Sequence, residues 1–192
     1  KPFGAELHFN QRVETLERLD GGFRVTTDAG ATIEAKVVVI AAGGGSFTPK
    51  RPPLPGIEGY EGKSVFYSVR KMDNFRGRDV LIVGGGDSAL DWTLNFVQEG
   101  PNQAESVILI HRRDGFRAAP ASVAKMRELC DAFAMQFIVG QITGIDERDE
   151  RLVGVKVTGG DGVTRVVPTD MLLVFFGLSP KLGPIADWGL TL

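Results

Sequence analysis

Residues 79–92, Asp79-Val80-Leu81-Ile82-Val83-Gly84-Gly85-Gly86-Asp87-Ser88-Ala89-Leu90-Asp91-Trp92, run from a short apolar stretch through a glycine turn into a helical pattern. Gly84, Gly86 and Ala89 stand at the spacing of a dinucleotide fingerprint. The first glycine permits a tight turn, the second lets backbone approach a pyrophosphate, and the third small residue lets helix and strand pack closely. The turn, with Gly85, Asp87 and Ser88, then opens a helix whose unpaired N–H groups and positive dipole end face the phosphates. Ser88 reads as a helix cap or a phosphate contact, and Asp87 is favoured by the dipole whatever the ligand. Leu90, Leu94 and Val97, with Ala89 and Phe96 beside them, recur at helical spacing and give the motif its strand–turn–helix context. The bland alternative is a glycine-rich turn that binds nothing.

The residues after that helix discriminate between nucleotides. Ser106-Val107-Ile108-Leu109-Ile110 reads as the next parallel strand, and His111-Arg112-Arg113 stands at its end, with Arg117 four residues beyond Arg113. An NAD site needs a carboxylate here for the ribose 2′-hydroxyl, and the first acid is Asp114. Arginines at this place suit the 2′-phosphate of NADP through charge-assisted, bidentate bonds. The ordinary explanation of an arginine cluster is a solvated face; its position at the end of the second strand argues for the nucleotide.

These residues need an α/β scaffold, and the composition allows one. The chain has 192 residues, of which 43% are hydrophobic and 24% charged, an ordinary globular balance. A net charge of -2 leaves no footprint for nucleic acid or an anionic membrane. No apolar run approaches the roughly 20 residues of a membrane span. No signal-peptide pattern is visible, and with Lys1 at its start the sequence reads as part of something longer. The single cysteine, Cys130, excludes an internal disulfide and a Cys-x-x-Cys pair, and suggests a reducing, cytoplasmic compartment. It falls in the helical run 122–133 and reads as a buried structural thiol.

Taken in order, residues 6–10 and 12–19 read as alternating strands. Asp20-Gly21-Gly22 turns the chain into residues 23–27, and a turn at Asp28-Ala29-Gly30 leads to residues 32–34. Lys36-Val37-Val38-Val39-Ile40-Ala41-Ala42 is expected to be a parallel strand buried on both faces. Residues 44–62, with Pro49, Pro52, Pro53 and Pro55, disfavour helix and ladder and read as a crossing between lobes. A second helix is expected over 118–133 and a third parallel strand over 135–139. Two hairpins over 142–167 turn near Asp149-Glu150 and at Gly159-Gly160-Asp161-Gly162, and another buried strand covers 170–176. Residues 12–43 and 143–177 share one plan of β-meander, buried apolar strand and glycine, which implies two lobes of common ancestry. The expected division is 1–56, a partial FAD-binding domain of meander and buried strand; 57–177, the NADP-binding domain; and 178–192, a return into the first.

The residues resemble those of the two-dinucleotide-domain flavoprotein reductases, and among them the thioredoxin-reductase-like ferredoxin–NADP reductases. Gly84-Gly85-Gly86-Asp87-Ser88-Ala89-Leu90-Asp91-Trp92 and His111-Arg112-Arg113-Asp114-Gly115-Phe116-Arg117-Ala118 are similar to the family's NADP motifs. Residues 176–185 with Trp188-Gly189-Leu190 are similar to its return segment. The resemblance implies a Rossmann-like NADP-binding domain, a parallel sheet with a β-meander, beside truncated pieces of a homologous FAD-binding domain. It implies NADP(H) and FAD as cofactors, a cytoplasmic homodimer, and ferredoxin or flavodoxin as electron acceptor. It places Val13 against the FAD adenine and Phe47 near the flavin, although each is equally an ordinary core residue. Thioredoxin reductase carries a redox dithiol ahead of the glycine strand, where this chain has Phe66-Tyr67-Ser68-Val69-Arg70. Electrons are therefore expected to leave directly from the flavin. The family's N-terminal FAD fingerprint and C-terminal flavin segment are absent from this sequence, so these residues alone are not expected to hold FAD.

No metal site is expected, because His8 and His111 are the only histidines and no Cys/His/carboxylate cluster has ligand spacing. No nucleophile arrangement stands out, and hydride transfer needs geometry more than an acid or base, so no catalytic side chain is named. Glu147-Arg148-Asp149-Glu150-Arg151 reads as a solvated hairpin tip. Two functions stay open: a flavoenzyme moving hydride from NADPH to FAD and single electrons onward, or a nucleotide-binding module or sensor without chemistry. A thioredoxin-reductase-like protein lacking the dithiol is a variant of the first.

Overall fold

A computed structural model describes residues 4–43, 46–98, 100–101 and 103–191, with the side chains of Ser46, Phe47 and Pro180 outside that description. The chain forms two compact units, one from residues up to 48 together with those from 178 on, the other from residues 49–177.

In the first unit, β1 (Val13–Leu19), β2 (Gly22–Thr27) and β3 (Thr32–Ala35) form an antiparallel meander in the order β1-β2-β3. The Asp-Gly-Gly turn works as expected, with Gly21 at φ 87°, a conformation that costs glycine nothing. β4 (Ser46–Pro49) pairs with β12 (Leu178–Lys181) in a two-stranded ladder, so the Pro-rich crossing begins with a strand.

Two expectations fail in this unit. Residues 6–10 form no strand, and Phe9 is largely exposed. Residues 36–42 form no buried parallel strand either: Val37 is 72% and Val39 84% exposed. The physical reason is common to both. A ladder needs a partner on at least one edge, and among the described residues neither segment has one.

The second unit is built on a seven-stranded sheet. Its strands are β5 (Val65–Phe66), β6 (Asp79–Gly84), β7 (Ser106–His111), β8 (Gln136–Arg148), β9 (Arg151–Gly159), β10 (Thr164–Pro168) and β11 (Met171–Phe175), in the order β10-β9-β8-β7-β6-β11-β5. β5, β11, β6, β7 and the start of β8 run parallel, while β8, β9 and β10 are antiparallel. β8 therefore does two jobs. It pairs with β7 over residues 136–139 and then continues into the hairpins expected after it.

The helices are α1 (Asp87–Val97) and α2 (Pro120–Asp131). The parallel strands are apolar through their centres because each of their faces is covered there. Val80 and Ile82 of β6, Leu109 of β7 and Leu173 of β11 pack with Ala89, Leu90 and Phe96 of α1 and Met126 of α2. Leu81, Val83, Ile110, Leu172 and Val174 pack on the other face with Leu152, Val155, Val157 and Val167 of the antiparallel hairpins. At roughly 1.5–3 kcal/mol for each fully buried aliphatic side chain, this double burial is what holds the strand ends in place.

The second unit takes in residues 49–56, which the expected division gave to the first. Leu54 is buried in the same cluster as Ile57, so the Pro-rich segment is anchored to the sheet rather than left as a free linker. The charge run at the β8–β9 turn is exposed at all five residues, as expected of a solvated hairpin tip, and Glu147 accepts the Tyr60 hydroxyl there. Cys130 is half-buried on α2, its Sγ 3.7 Å from Met126 Sδ, and burial pushes its thiol pKa up. The thiol expected to be buried is thus only partly so, and it packs on Met126.

Candidate functional site

The glycine turn sits where β6 ends and α1 begins, at the C-terminal end of the parallel strands, the place where open α/β sheets bind ligands. Its three glycines do different work. A Cβ at Gly84 would lie 2.8 Å from Ala89 Cβ and 2.9 Å from Phe175 O, so Gly84 and Ala89 are the small pair that lets α1 cross β6 and β11 closely. A Cβ at Gly85 would lie 2.3 Å from His111 Nε2. At Gly86 a Cβ would meet nothing within 4 Å, so this glycine is not required by the protein's own atoms. It borders open space at the start of α1. No side chain caps that helix, so Ser88 is exposed and is not the cap the sequence allowed. The arrangement fits a pyrophosphate: open room for backbone approach and an uncapped helix N-terminus.

The segment from His111 to Pro120 is fastened onto this turn. Arg117 N–H donates to Gly85 O at 2.7 Å, and Ala119 N–H to Asp87 Oδ1 at 2.7 Å. Phe116 lies between the rings of His111, 5.4 Å away, and Phe137, 5.2 Å away. Phe116 and Ala119 have no role assignable from the sequence alone, although an aromatic between arginines in a strand-to-helix loop is a sign that the loop is packed down. Arg112, Arg113 and Arg117 are exposed. Among the described residues no carboxylate stands within ion-pair distance of any of them. Asp114, the only acid of the motif, is held by Arg127 of α2. The loop thus offers three guanidinium groups without internal acidic partners. Arg113 Nε makes one weak bond to Gly115 O at 3.3 Å.

His111 is placed differently from the arginines. Its ring packs against Gly85 and Phe116, and its pKa falls below the usual histidine value. Burial is the largest cause, and the charges of Arg113 and Arg112 lower it further against a backbone bond at Gly115 that raises it. A neutral imidazole here is packing first and an anion ligand second. The unfolded chain binds a proton more readily than the folded one between the two pKa values, so stability is fully present above about pH 6.5 and is lost as pH falls through the folded value. Calorimetry of His111→Gln should show a smaller drop in Tm between neutral and mildly acidic pH than the unmodified protein shows. Parallel curves would place the acid sensitivity elsewhere.

Val13 lies in the other unit. It lines an apolar cavity of about 470 Å³ with Leu16, Val25, Ile40, Ile185 and Trp188, and Trp188 is fixed by its Nε1–H donating to Glu14 O at 3.1 Å. Trp188 belongs to the return segment, and its role in this pocket is one that a tryptophan among glycines and prolines suggests. Phe47 has its side chain outside the described residues. No cluster of His, Cys, Asp or Glu able to hold a metal ion occurs among the described residues, and no helix of the described residues is long and apolar enough to cross a membrane.

The chain has well-defined relatives. Over its whole length it is 61% identical to a ferredoxin–NADP reductase of Polaromonas sp. and 61% identical to one of Methylibium petroleiphilum, covering 53% of each. It therefore spans about half the length of the curated relatives it matches. Among solved structures it is similar to Lactococcus lactis thioredoxin reductase, with a TM-score of 0.75 at 24% identity, over 94% of this chain and 57% of that one. That likeness is one of fold: the Rossmann-type α/β architecture with its curled, mixed sheet. Residues 2–191 match the pyridine nucleotide-disulphide oxidoreductase family, and the chain belongs to that family.

Proposed function

We propose that residues 49–177 form the NADP(H)-binding domain of a flavoprotein oxidoreductase that takes hydride from NADPH and passes single electrons to ferredoxin or flavodoxin. The observation that carries this reading is the arginine loop hydrogen-bonded onto the glycine turn, with Asp114 drawn off by Arg127. The turn would receive the pyrophosphate at Gly86 and the α1 N-terminus, and Arg112, Arg113 and Arg117 the 2′-phosphate. The names of the relatives at 61% identity support the reductase assignment. The lack of a second cysteine supports an acceptor reached without a dithiol in this chain.

For FAD the fit is partial. The first unit's cavity, of about 470 Å³, is in the size range of small-ligand pockets and is lined by Val13 and Trp188. A flavin pyrophosphate needs a helix N-terminus or an equivalent nest of N–H groups, and the first unit has no α-helix among the described residues. When bound, FAD would supply the step from two-electron to one-electron transfer. Prepared alone, residues 1–192 should carry flavin at well under one per molecule, whereas the full-length protein should show a full complement of flavin absorbance. The experiment that tests the nucleotide assignment is titration of the full-length protein with NADPH and NADH. Equal affinities would remove the reading, and a full-length protein without flavin would favour the module without chemistry.

A further inference from the structure

Asp87 is a poor ligand for the nucleotide that its own helix would hold. A carboxylate at the mouth of a phosphate-binding helix repels the phosphate. The structure shows another use for it. Asp87 does not cap α1; its Oδ1 accepts the N–H of Ala119, which is the N-cap residue of α2. Ala119 follows Arg117 by two residues, and Arg117 N–H is itself bonded to Gly85 O. The C-terminal end of the arginine loop is therefore pinned at two successive odd residues to the glycine turn, while its N-terminal end is held by the His111 and Phe116 rings. If the Asp87 bond is removed, the Arg117 backbone keeps a single tether, and the cost of ordering its side chain passes into the binding step.

We infer that Asp87 is a positioning residue: it holds the arginine loop in register for the 2′-phosphate of an adenine nucleotide and does not itself contact the nucleotide. This rests on the arginine reading given above. It adds that discrimination depends on a residue of the glycine turn, 25 or more positions from the arginines in sequence, as the numbering of Asp87 and Arg112 shows.

The test compares 2′,5′-ADP with 5′-AMP, which differ only in the 2′-phosphate, by calorimetric titration of the full-length protein. Asp87→Ala should weaken 2′,5′-ADP about tenfold and 5′-AMP less than about twofold. Asp87→Asn, whose amide oxygen still accepts the Ala119 N–H, should keep the unmodified ratio. Ala119→Pro provides the reciprocal variant: it removes the donor and keeps the Asp87 carboxylate, whose exposed side chain turns away from the proline ring, at a residue whose φ of -55° and ψ of 134° suit proline. It should reproduce the Asp87→Ala selectivity, and it decides the matter if Asp87→Ala does not fold. Equal loss of both ligands in these variants, no loss of 2′,5′-ADP, or an Asp87→Asn as impaired as Asp87→Ala would overturn the inference. Equal binding of the two ligands by the unmodified protein would instead overturn the arginine reading, and this inference with it.

Discussion

Replacing Arg112 and Arg113 together by alanine should raise the Kd for NADPH about a hundredfold or more while moving that for NADH by less than about threefold. Each charge-assisted hydrogen bond is worth roughly 1.5–3 kcal/mol, and every 1.4 kcal/mol is a decade in affinity, so two arginines account for at least two decades. The side chains are free to make those bonds. Neither has an acidic partner among the described residues, and the pair that does form in the loop, Asp114 with Arg127, is untouched by the substitution. The double variant should also fold normally, because both side chains are exposed and the tethers of the loop run through Arg117 and Ala119. Screening adds a second signature. At an exposed site the advantage of NADPH should shrink as salt rises, since the Debye length is about 8 Å at physiological ionic strength. Fluorescence titration at two salt concentrations reads both effects, and an equal shift for the two nucleotides would show that the arginines serve something other than the 2′-phosphate.

The sequence was most legible where a residue's role is decided by neighbours close along the chain. The β6 turn and α1 could be read because glycine spacing, apolar run and helical period all lie within residues 79–97. The hairpins could be read from their turns at 149–150 and 159–162. Failures came where the outcome depends on a partner strand. Residues 36–42 have the composition of a buried strand, but composition specifies only what a strand would do if paired, and here no ladder forms. Residues 6–10 repeat the lesson. In the candidate site, residue types were legible and their division of labour was not. His111, Asp87 and the arginines look alike as polar residues near a glycine turn, yet His111 packs against Gly85, Asp87 holds Ala119, and the arginine side chains stay exposed with no carboxylate partner among the described residues. That separation depends on contacts across 26 to 32 positions, such as 85 to 111 and 87 to 119, which no local pattern encodes.

Two glycines of the same fingerprint should separate stability from binding. Gly84→Ala places a methyl group 2.8 Å from Ala89 Cβ, 2.9 Å from Phe175 O and 3.1 Å from Phe175 Cβ. None of these can swing aside, since one is a backbone oxygen and the others are β-carbons fixed by α1 and β11. Overpacking of this kind costs about 1–3 kcal/mol, and at about 2–4 °C per kcal/mol for a chain of this size the Tm should fall by several degrees. Gly86→Ala has no such cost. Its φ of -105° and ψ of 179° suit any residue, and the added methyl group meets nothing. The methyl group would instead occupy the space in front of α1 that a pyrophosphate needs. NADPH and NADH should weaken together, about tenfold or more, because the pyrophosphate is common to both. Differential scanning calorimetry and nucleotide titration on the two variants give a two-by-two result. A Gly86→Ala protein that melts early, or one that melts normally and binds both nucleotides at full strength, would mean that the open space beside Gly86 is not where the pyrophosphate lies.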